Sequence, residues 1–344
     1  MALGLAPVSF AALDGWAEDD HAAAFRAFVR SCRKAGATDP AGAVAMALGS
    51  VTRETARVFF ESHFTLHAID TAGEPGFVTG YYEPEVQGAR EQDEQFSVPV
   101  YGCPAGLIEL TPDHLRAQFN DRVTAMRESG AERVPYFTRA EIDAGALAGR
   151  ELELLYLDDP VELFYMQVQG SGLVRLCDGS SVRVAYVCKN GHPYTSIGRL
   201  LIERGELPAD GIDMTAVKAW LHADPARGRR LMAENKSYVF FRLLDEDEGR
   251  DGPLGAQGAA LTPGRSLAVD AAYHRLGLPV FVTAPGLATP EGAPFRRLMV
   301  AQDVGSAIRG PMRGDIFWGS GDAAGAIAGR TRHEARFHVF VPKH

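Results

Sequence analysis

A chain of 344 residues with a formal net charge of -9 can bury one or two substantial cores, and it is too acidic for a nucleic-acid binder without a basic stripe. Its densest basic cluster, Arg227, Arg229 and Arg230, falls in a helical stretch and is too short to supply one. Apolar residues make up 46% and charged residues 23%, the usage of a globular protein, and 37 glycines with 20 prolines predict many turns. No run of 18 apolar residues predicts a membrane span. The opening MALGLAPVSF carries no basic n-region, long apolar core or lipidation cysteine. That leaves a cytoplasmic protein or one whose export segment is not part of the sequence. Cys32, Cys103, Cys177 and Cys188 show neither CxxC pairing nor metal-ligand spacing. Cys32 on a helical stripe and Cys177 in a strand are expected as buried thiols, with a disulfide open if the protein is exported.

In chain order, Asp19-Asp20 precedes a helical pattern in which Phe25, Phe28, Val29 and Cys32 recur on one face and Gly36 closes the helix. A second helix is predicted from Thr52 to Phe64. The stretch Gly76-Phe-Val-Thr-Gly-Tyr-Tyr-Glu-Pro84 reads as a strand, so adjacent Tyr81 and Tyr82 must point to opposite faces. One is expected in the core; the other, taken as Tyr82, is a candidate for sugar contact. Thr138-Arg-Ala-Glu141 is a capping box opening a helix through Leu147. A strand-like run over 151–157 precedes an Asp158-Asp159-Pro160 turn, and in Phe164–Gly172 the glutamines Gln167 and Gln169 alternate with apolar residues. A hairpin turns near Asp178-Gly179. The polar Cys188–Pro193 loop leads to helices at 196–204, 214–222 and 225–234, then a strand over 237–244. The acidic, Gly-rich stretch Asp245–Gly258 is the best boundary candidate. Beyond it, roughly the last hundred residues read as a small strand-dominated barrel with glycine loops.

The chemistry-bearing residues cluster there. Asp270, Asp303 and Asp315 each begin or end an apolar run, as reactive groups at a barrel rim do, although Asp beside Gly is also ordinary turn chemistry. No GxSxG elbow, metal-ligand spacing or phosphate loop is present, so serine hydrolysis, metal catalysis and nucleotide binding are rejected. Carboxyl acid–base chemistry remains. Asp303-Val-Gly resembles half of an aspartic-protease dyad, but Asp315-Ile-Phe lacks the matching half. A glycosidic bond, protonated by a carboxyl whose pKa is raised by neighbours such as Phe317 and Trp318, is the preferred target.

At this point the chain resembles the membrane-bound lytic murein transglycosylase A family. The resemblance runs through Gly80-Tyr81-Tyr82 with Pro84, Thr138–Ile142, Asp143–Leu147, Gln167–Gly172, Lys189–His192 and Tyr194. It continues through Ser196-Ile-Gly198, Val239–Phe241, Leu298–Val300, Asp303-Val-Gly, Ala307-Ile308 and Asp315-Ile316 of a three-aspartate domain. It implies a mainly β protein with peripheral helices. A double-psi β-barrel domain is built from 1–83 and 245–344, a second β-barrel is inserted over 84–244, and a glycan groove lies between them. It implies non-hydrolytic cleavage between N-acetylmuramic acid and N-acetylglucosamine to a 1,6-anhydro product, without a cofactor or metal. Asp315 maps onto the family's acid and base, with Asp303 and Asp270 as supporting aspartates. Tyr82, Gln169, Ser171 and Asn190 are the expected sugar contacts, and Lys189, Arg309 and Arg313 the candidate cations toward an anionic wall. Peptidoglycan strands are the implied partner, with other cell-wall enzymes as candidate partners of a monomer. The implied location is periplasmic, with outer-membrane association left open. A wall-polysaccharide-binding module and a hydrolytic glycosidase on the same scaffold are the alternatives.

Overall fold

The chain opens with a short strand, β1 (Leu5–Val8), laid antiparallel on β2 (Phe64–Ile69). Between them, among the described residues, stand a 3-10 turn (Phe10–Ala12) and the α-helices α1 (His21–Ala35), α2 (Pro40–Ala47) and α3 (Arg53–His63). Asp20 caps α1 through the Ala23 N–H and Gly36 leaves it at φ 72°, while Thr52 and Thr55 form a reciprocal cap on α3. The spacing of Phe25, Phe28, Val29 and Cys32 gives α1 one apolar face. That face packs with Phe59, Phe60 and Phe64 against Phe281, Leu298 and Val300 from late in the chain. The strand predicted at the tyrosine pair is β3 (Gly76–Glu83). The computed structural model describes residues 4–36, 40–70, 73–110, 123–210, 212–290 and 292–343, so the first three residues of the N-terminal stretch lie outside the description.

The next segment supplies β4 (Glu85–Ala89), β5 (Val98–Tyr101), β6 (Ile108–Glu109), β7 (Ala125–Ser129), β8 (Glu132–Pro135), α4 (Arg139–Asp143) and β9 (Glu153–Leu157). It continues with α5 (Pro160–Gln169), β10 (Ser171–Leu176), β11 (Ser181–Lys189), α6 (Ile197–Glu203), α7 (Met214–Ala223), α8 (Pro225–Glu234) and β12 (Val239–Leu243). Six of its strands run in the order β12-β11-β10-β4-β9-β5, a bridge between Gly102 and Phe241 closes them into a barrel, and β6-β7-β8 form a separate three-stranded sheet. Val86, Val100, Leu155, Leu157, Val174 and Phe241 fill the interior.

The alternation at Phe164–Gly172 is a helix end followed by a strand. Asp159 caps α5, Pro160 occupies its first turn, and Gly170 ends it in the left-handed region at φ 82°. These punctuation residues outweigh the two alternating glutamines. The cysteines settle one open point and correct one expectation. Cys103 and Cys188, 85 residues apart, form a disulfide, and Cys177 is exposed beside the Asp178-Gly179 turn instead of buried in β10.

A turn of helix at Glu246–Gly249 leads to β13 (Ser266–Val269), β14 (Pro279–Ala288), β15 (Pro294–Val304), β16 (Arg313–Ser320), α9 (Gly321–Arg330) and β17 (Arg332–Pro342). Helix α9 was not legible: GDAAGAIAGR carries three glycines and little apolar contrast. The strands follow the order β17-β14-β15-β13-β16-β3, and β3 returns to β17, which closes a second barrel. Only the β13·β15 pair in this ring is parallel among the described registers. By contact the chain divides into two compact units, 1–82 with 248–344, and 83–247.

Candidate active site

Two aspartates flank one alanine. On β13, Ala268 is the register partner of Asp303 on β15 and of Asp315 on β16. Directly paired residues project from the same face of a sheet, so both carboxylates stand on one side with only a methyl group between them. A strand spacing of about 4.8 Å puts their backbones roughly 10 Å apart.

Thr79 and Tyr81, two residues apart on β3, reach that same face. The Thr79 hydroxyl donates to Asp315 Oδ1 at 2.6 Å, and the Tyr81 hydroxyl donates to Asp303 Oδ2 at 2.9 Å. The Tyr81 ring lies against Phe317 with centroids 5.3 Å apart, and Leu261 and Ala268 complete the apolar patch beside the carboxylates.

The two acids are held differently. Asp303 Oδ1 accepts from the backbone N–H groups of Ala256 (2.8 Å) and Val304 (2.9 Å), so donors converge on both of its oxygens. Burial raises its pKa, and those donors oppose the rise. Asp315 is half-buried. Burial pushes its carboxyl up to about 6, against the Thr79 hydrogen bond and the charge of Arg313, while the charge of Asp303 adds to the rise. The sequence left open whether a nearby cation would hold this acid ionised. Desolvation wins, and Arg313 reaches the carboxylate through Thr79, donating from Nη2 to its hydroxyl at 2.7 Å.

Asp270 has a separate task. Oδ2 accepts from the Gly310 N–H at 2.8 Å and Oδ1 from the Ala272 N–H at 3.1 Å, and the Gly310 bond leads the causes that lower its pKa. His274 grips the same loop at the Pro311 carbonyl, 2.6 Å away. The pair therefore clamps the loop that joins Asp303 to Asp315.

The expected sugar contacts fare unequally. Tyr82 is 3% exposed, on the opposite face from Tyr81, with its ring against Gly325, where a Cβ would lie 2.9 Å from a ring carbon. Asn190 is 0% exposed, and its amide is consumed internally. Nδ2 donates to the carbonyls of Phe137 and Lys236, both at 2.8 Å, and Oδ1 accepts from Tyr238 N at 2.8 Å. Neither residue presents a free surface to a glycan. Ser171 is buried at the start of β10, and Gln169 is half-buried at the end of α5. Sequence reasoning missed Thr79 and named Tyr82, whereas it is the Tyr81 hydroxyl that reaches Asp303. The available signal was the two-residue spacing of Thr79 and Tyr81, which forces them onto one face.

The comparisons with known proteins agree with this layout. Residues 77–242 match the MltA specific insert domain, and residues 265–341 match the 3D domain. The membrane-bound lytic murein transglycosylase A of Vibrio cholerae is 34% identical over 264 residues, which span 75% of this chain but 63% of that protein. The crystal structure of a membrane-bound lytic murein transglycosylase from Agrobacterium tumefaciens superposes with a TM-score of 0.89 at 35% identity, covering 98% of this chain and 97% of that one. The structure of E. coli MltA with bound chitohexaose is similar at a TM-score of 0.72 and 28% identity, covering 100% and 95%. With both family domains in place and a full-length structural relative above one-third identity, the chain belongs to the membrane-bound lytic murein transglycosylase A family.

Proposed function

We propose that the protein is a peptidoglycan lytic transglycosylase in which Asp315 serves as acid and then as base. The observation that carries this reading is the asymmetry of the two aspartates. Asp303 has donors on both oxygens, which suits a fixed acceptor, whereas Asp315, half-buried like Asp303, accepts from Thr79 at Oδ1 and has its pKa raised to about 6. One proton-transfer carboxyl suffices when the nucleophile is already part of the substrate. In this reaction the C6 hydroxyl of the muramoyl residue attacks its own C1. The leaving oxygen takes the proton of Asp315, the glycosidic C–O bond breaks, and the ionised carboxylate then receives the C6 hydroxyl proton as the 1,6-anhydro ring closes.

Thr79 determines which oxygen does this. A guanidinium can only donate, so Arg313 occupies a lone pair of the Thr79 hydroxyl and directs its proton to Asp315 Oδ1. Oδ1 therefore accepts in both protonation states, and Oδ2 carries the transferable proton.

A hydrolase is the second reading, favoured by one observation: the two carboxylates share a face with backbones roughly 10 Å apart, leaving room for a water. A binding module without turnover is the third. Incubating the protein with purified sacculi separates binding from catalysis: release of soluble muropeptides is expected, and sacculi that bind the protein but stay intact would end the enzyme reading. The partner is peptidoglycan and the acting species a monomer. The periplasm, with outer-membrane association, is the proposed location. The disulfide supports an oxidising compartment, and the Vibrio cholerae and Agrobacterium tumefaciens relatives are membrane-bound murein enzymes.

The pH profile follows from the acid role. Turnover is expected to fall as pH rises through about 6, where Asp315 loses its proton. Thr79→Val keeps the volume but removes the hydrogen bond that favours the charged carboxylate. This alkaline limb should therefore move to higher pH while kcat drops about tenfold. Thr79→Ser should restore both. A Val variant with the wild-type limb and rate would exclude the role assigned to Thr79.

A further inference from the structure

Strand β15 does not run regularly to its aspartate. Its pairing with β13 matches Leu267 to Ala301 and then slips, so that Ala268 meets Asp303 and Gln302 is the extra residue. Regular alternation would put Asp303, two residues beyond Ala301, on the fully buried face that Ala301 occupies. The bulge brings it instead to the face shared with Ala268 and Asp315.

Gln302 is the residue that holds this irregularity in place. It is 0% exposed, and its side chain spans two elements. Nε2 donates to Ser31 Oγ at 2.8 Å and to the Ala27 carbonyl at 3.2 Å, both on α1. Oε1 accepts from the Ser266 hydroxyl at the start of β13, and that hydroxyl in turn accepts from the Thr262 N–H at 2.7 Å, which fixes the direction of its proton. The backbone carbonyl of Gln302 accepts from Gln257 N at 3.1 Å. The preceding N–H in the same turn, that of Ala256, is the one that donates to Asp303 Oδ1. The turn also lies so close that a Cβ on Gly255 would sit 2.4 Å from the Gln302 oxygen. The buried side-chain amide thus ties α1 and β13, and the backbone carbonyl ties the 255–258 turn, to the step that aims Asp303.

We infer that Gln302 is a positioning residue for the reaction: its buried hydrogen bonds hold the bulge that turns Asp303 to the face of Asp315. The inference rests on the proposed roles of those two aspartates. An apolar side chain at this site would leave the buried Ser31 and Ser266 hydroxyls and the Ala27 carbonyl without these partners.

The test is Gln302→Met, which matches the volume and removes the hydrogen bonds, assayed alone and with Asp303→Asn. Since the charge of Asp303 adds to the raised pKa of Asp315, letting Asp303 turn away should move the alkaline limb to lower pH. The fall in kcat should be about ten- to a hundredfold, as for a misplaced contact near the chemistry, with KM little changed. In the Asp303→Asn background, the Met replacement should produce no further displacement of the limb. Ser31→Ala, which removes a single partner outside the site, should move the limb the same way by less, and it serves if the Met variant fails to fold. A lowered urea midpoint with an unmoved limb, or full displacement in both backgrounds, would reduce Gln302 to an ordinary core residue. If Asp315→Asn retains turnover, the catalytic reading fails instead. The Asp315 carboxyl titration followed by carbon NMR in Gln302→Met then still decides the inference: a shift to lower pH supports it and an unmoved titration overturns it.

Discussion

Asp315→Asn is expected to lower muropeptide release by about 10²- to 10⁴-fold, the usual contribution of a positioned acid–base group, while sacculus binding is retained. The amide is nearly isosteric and keeps an oxygen to accept from Thr79, so the contact at 2.6 Å can persist. It has no proton to give to a leaving oxygen and no carboxylate to take one back. The same substitution has a stability signature. The pKa of Asp315 is raised from 3.8 to about 6 in the folded protein, so its contribution to stability is present at low pH and lost as pH rises through the folded value. Asn does not ionise. The variant should therefore match the wild type near pH 4 and be more stable above pH 7, by up to about 2 kcal/mol after allowing for partial exposure. Urea titrations at the two pH values measure this. Retained turnover in the variant would remove Asp315 from the chemistry, and equal stability at both pH values would remove its raised pKa.

The largest expected loss of stability lies elsewhere, at Asp19. Its carboxylate accepts from Arg265 Nη1 at 2.9 Å and Nη2 at 2.8 Å, and from the Leu298 N–H at 2.7 Å. Arg265 Nη1 also donates to the Leu298 carbonyl at 2.9 Å, so the pair staples the approach to α1 onto the entry of β13 and the middle of β15. Both side chains are buried. Asp19→Ala leaves a guanidinium and a backbone N–H without their acceptor in a dry site, and should destabilise the protein by about 3–5 kcal/mol. Replacing both residues together, as Asp19→Leu with Arg265→Met, should recover much of that loss, because the cost comes from the stranded charge more than from the missing attraction. Urea midpoints of the single and double variants decide it. A single variant as stable as wild type would show that water reaches the pair.

Much of this architecture was legible locally. Asp20, Thr52, Thr138, Ser196, Asp213 and Asp224 each cap a helix through a neighbouring backbone N–H, and such short-range chemistry can be read one window at a time. Asp303 and Asp315 were visible as carboxyl groups at the edges of apolar runs, but that they share a face is seen only in the register. Long-range partnerships were not legible. Thr79 lies 236 residues from the aspartate it orients. Alternation separated Tyr81 from Tyr82 but could not say which faced Asp303. Asn190 looked like a polar loop residue because its partners, Phe137, Lys236 and Tyr238, are distant in sequence. The slip at Gln302 has no sequence signature, since one residue too many in a strand is defined only by the strand beside it.

The central claim, a glycosidic cleavage served by one proton-transfer carboxyl, is tested most directly by the ends it leaves. Purified peptidoglycan should be digested in water enriched in heavy oxygen and the released muropeptides weighed. The internal C6 hydroxyl as nucleophile requires anhydromuramoyl ends free of solvent label. Reducing ends that carry heavy oxygen would show that water attacks, and would contradict it.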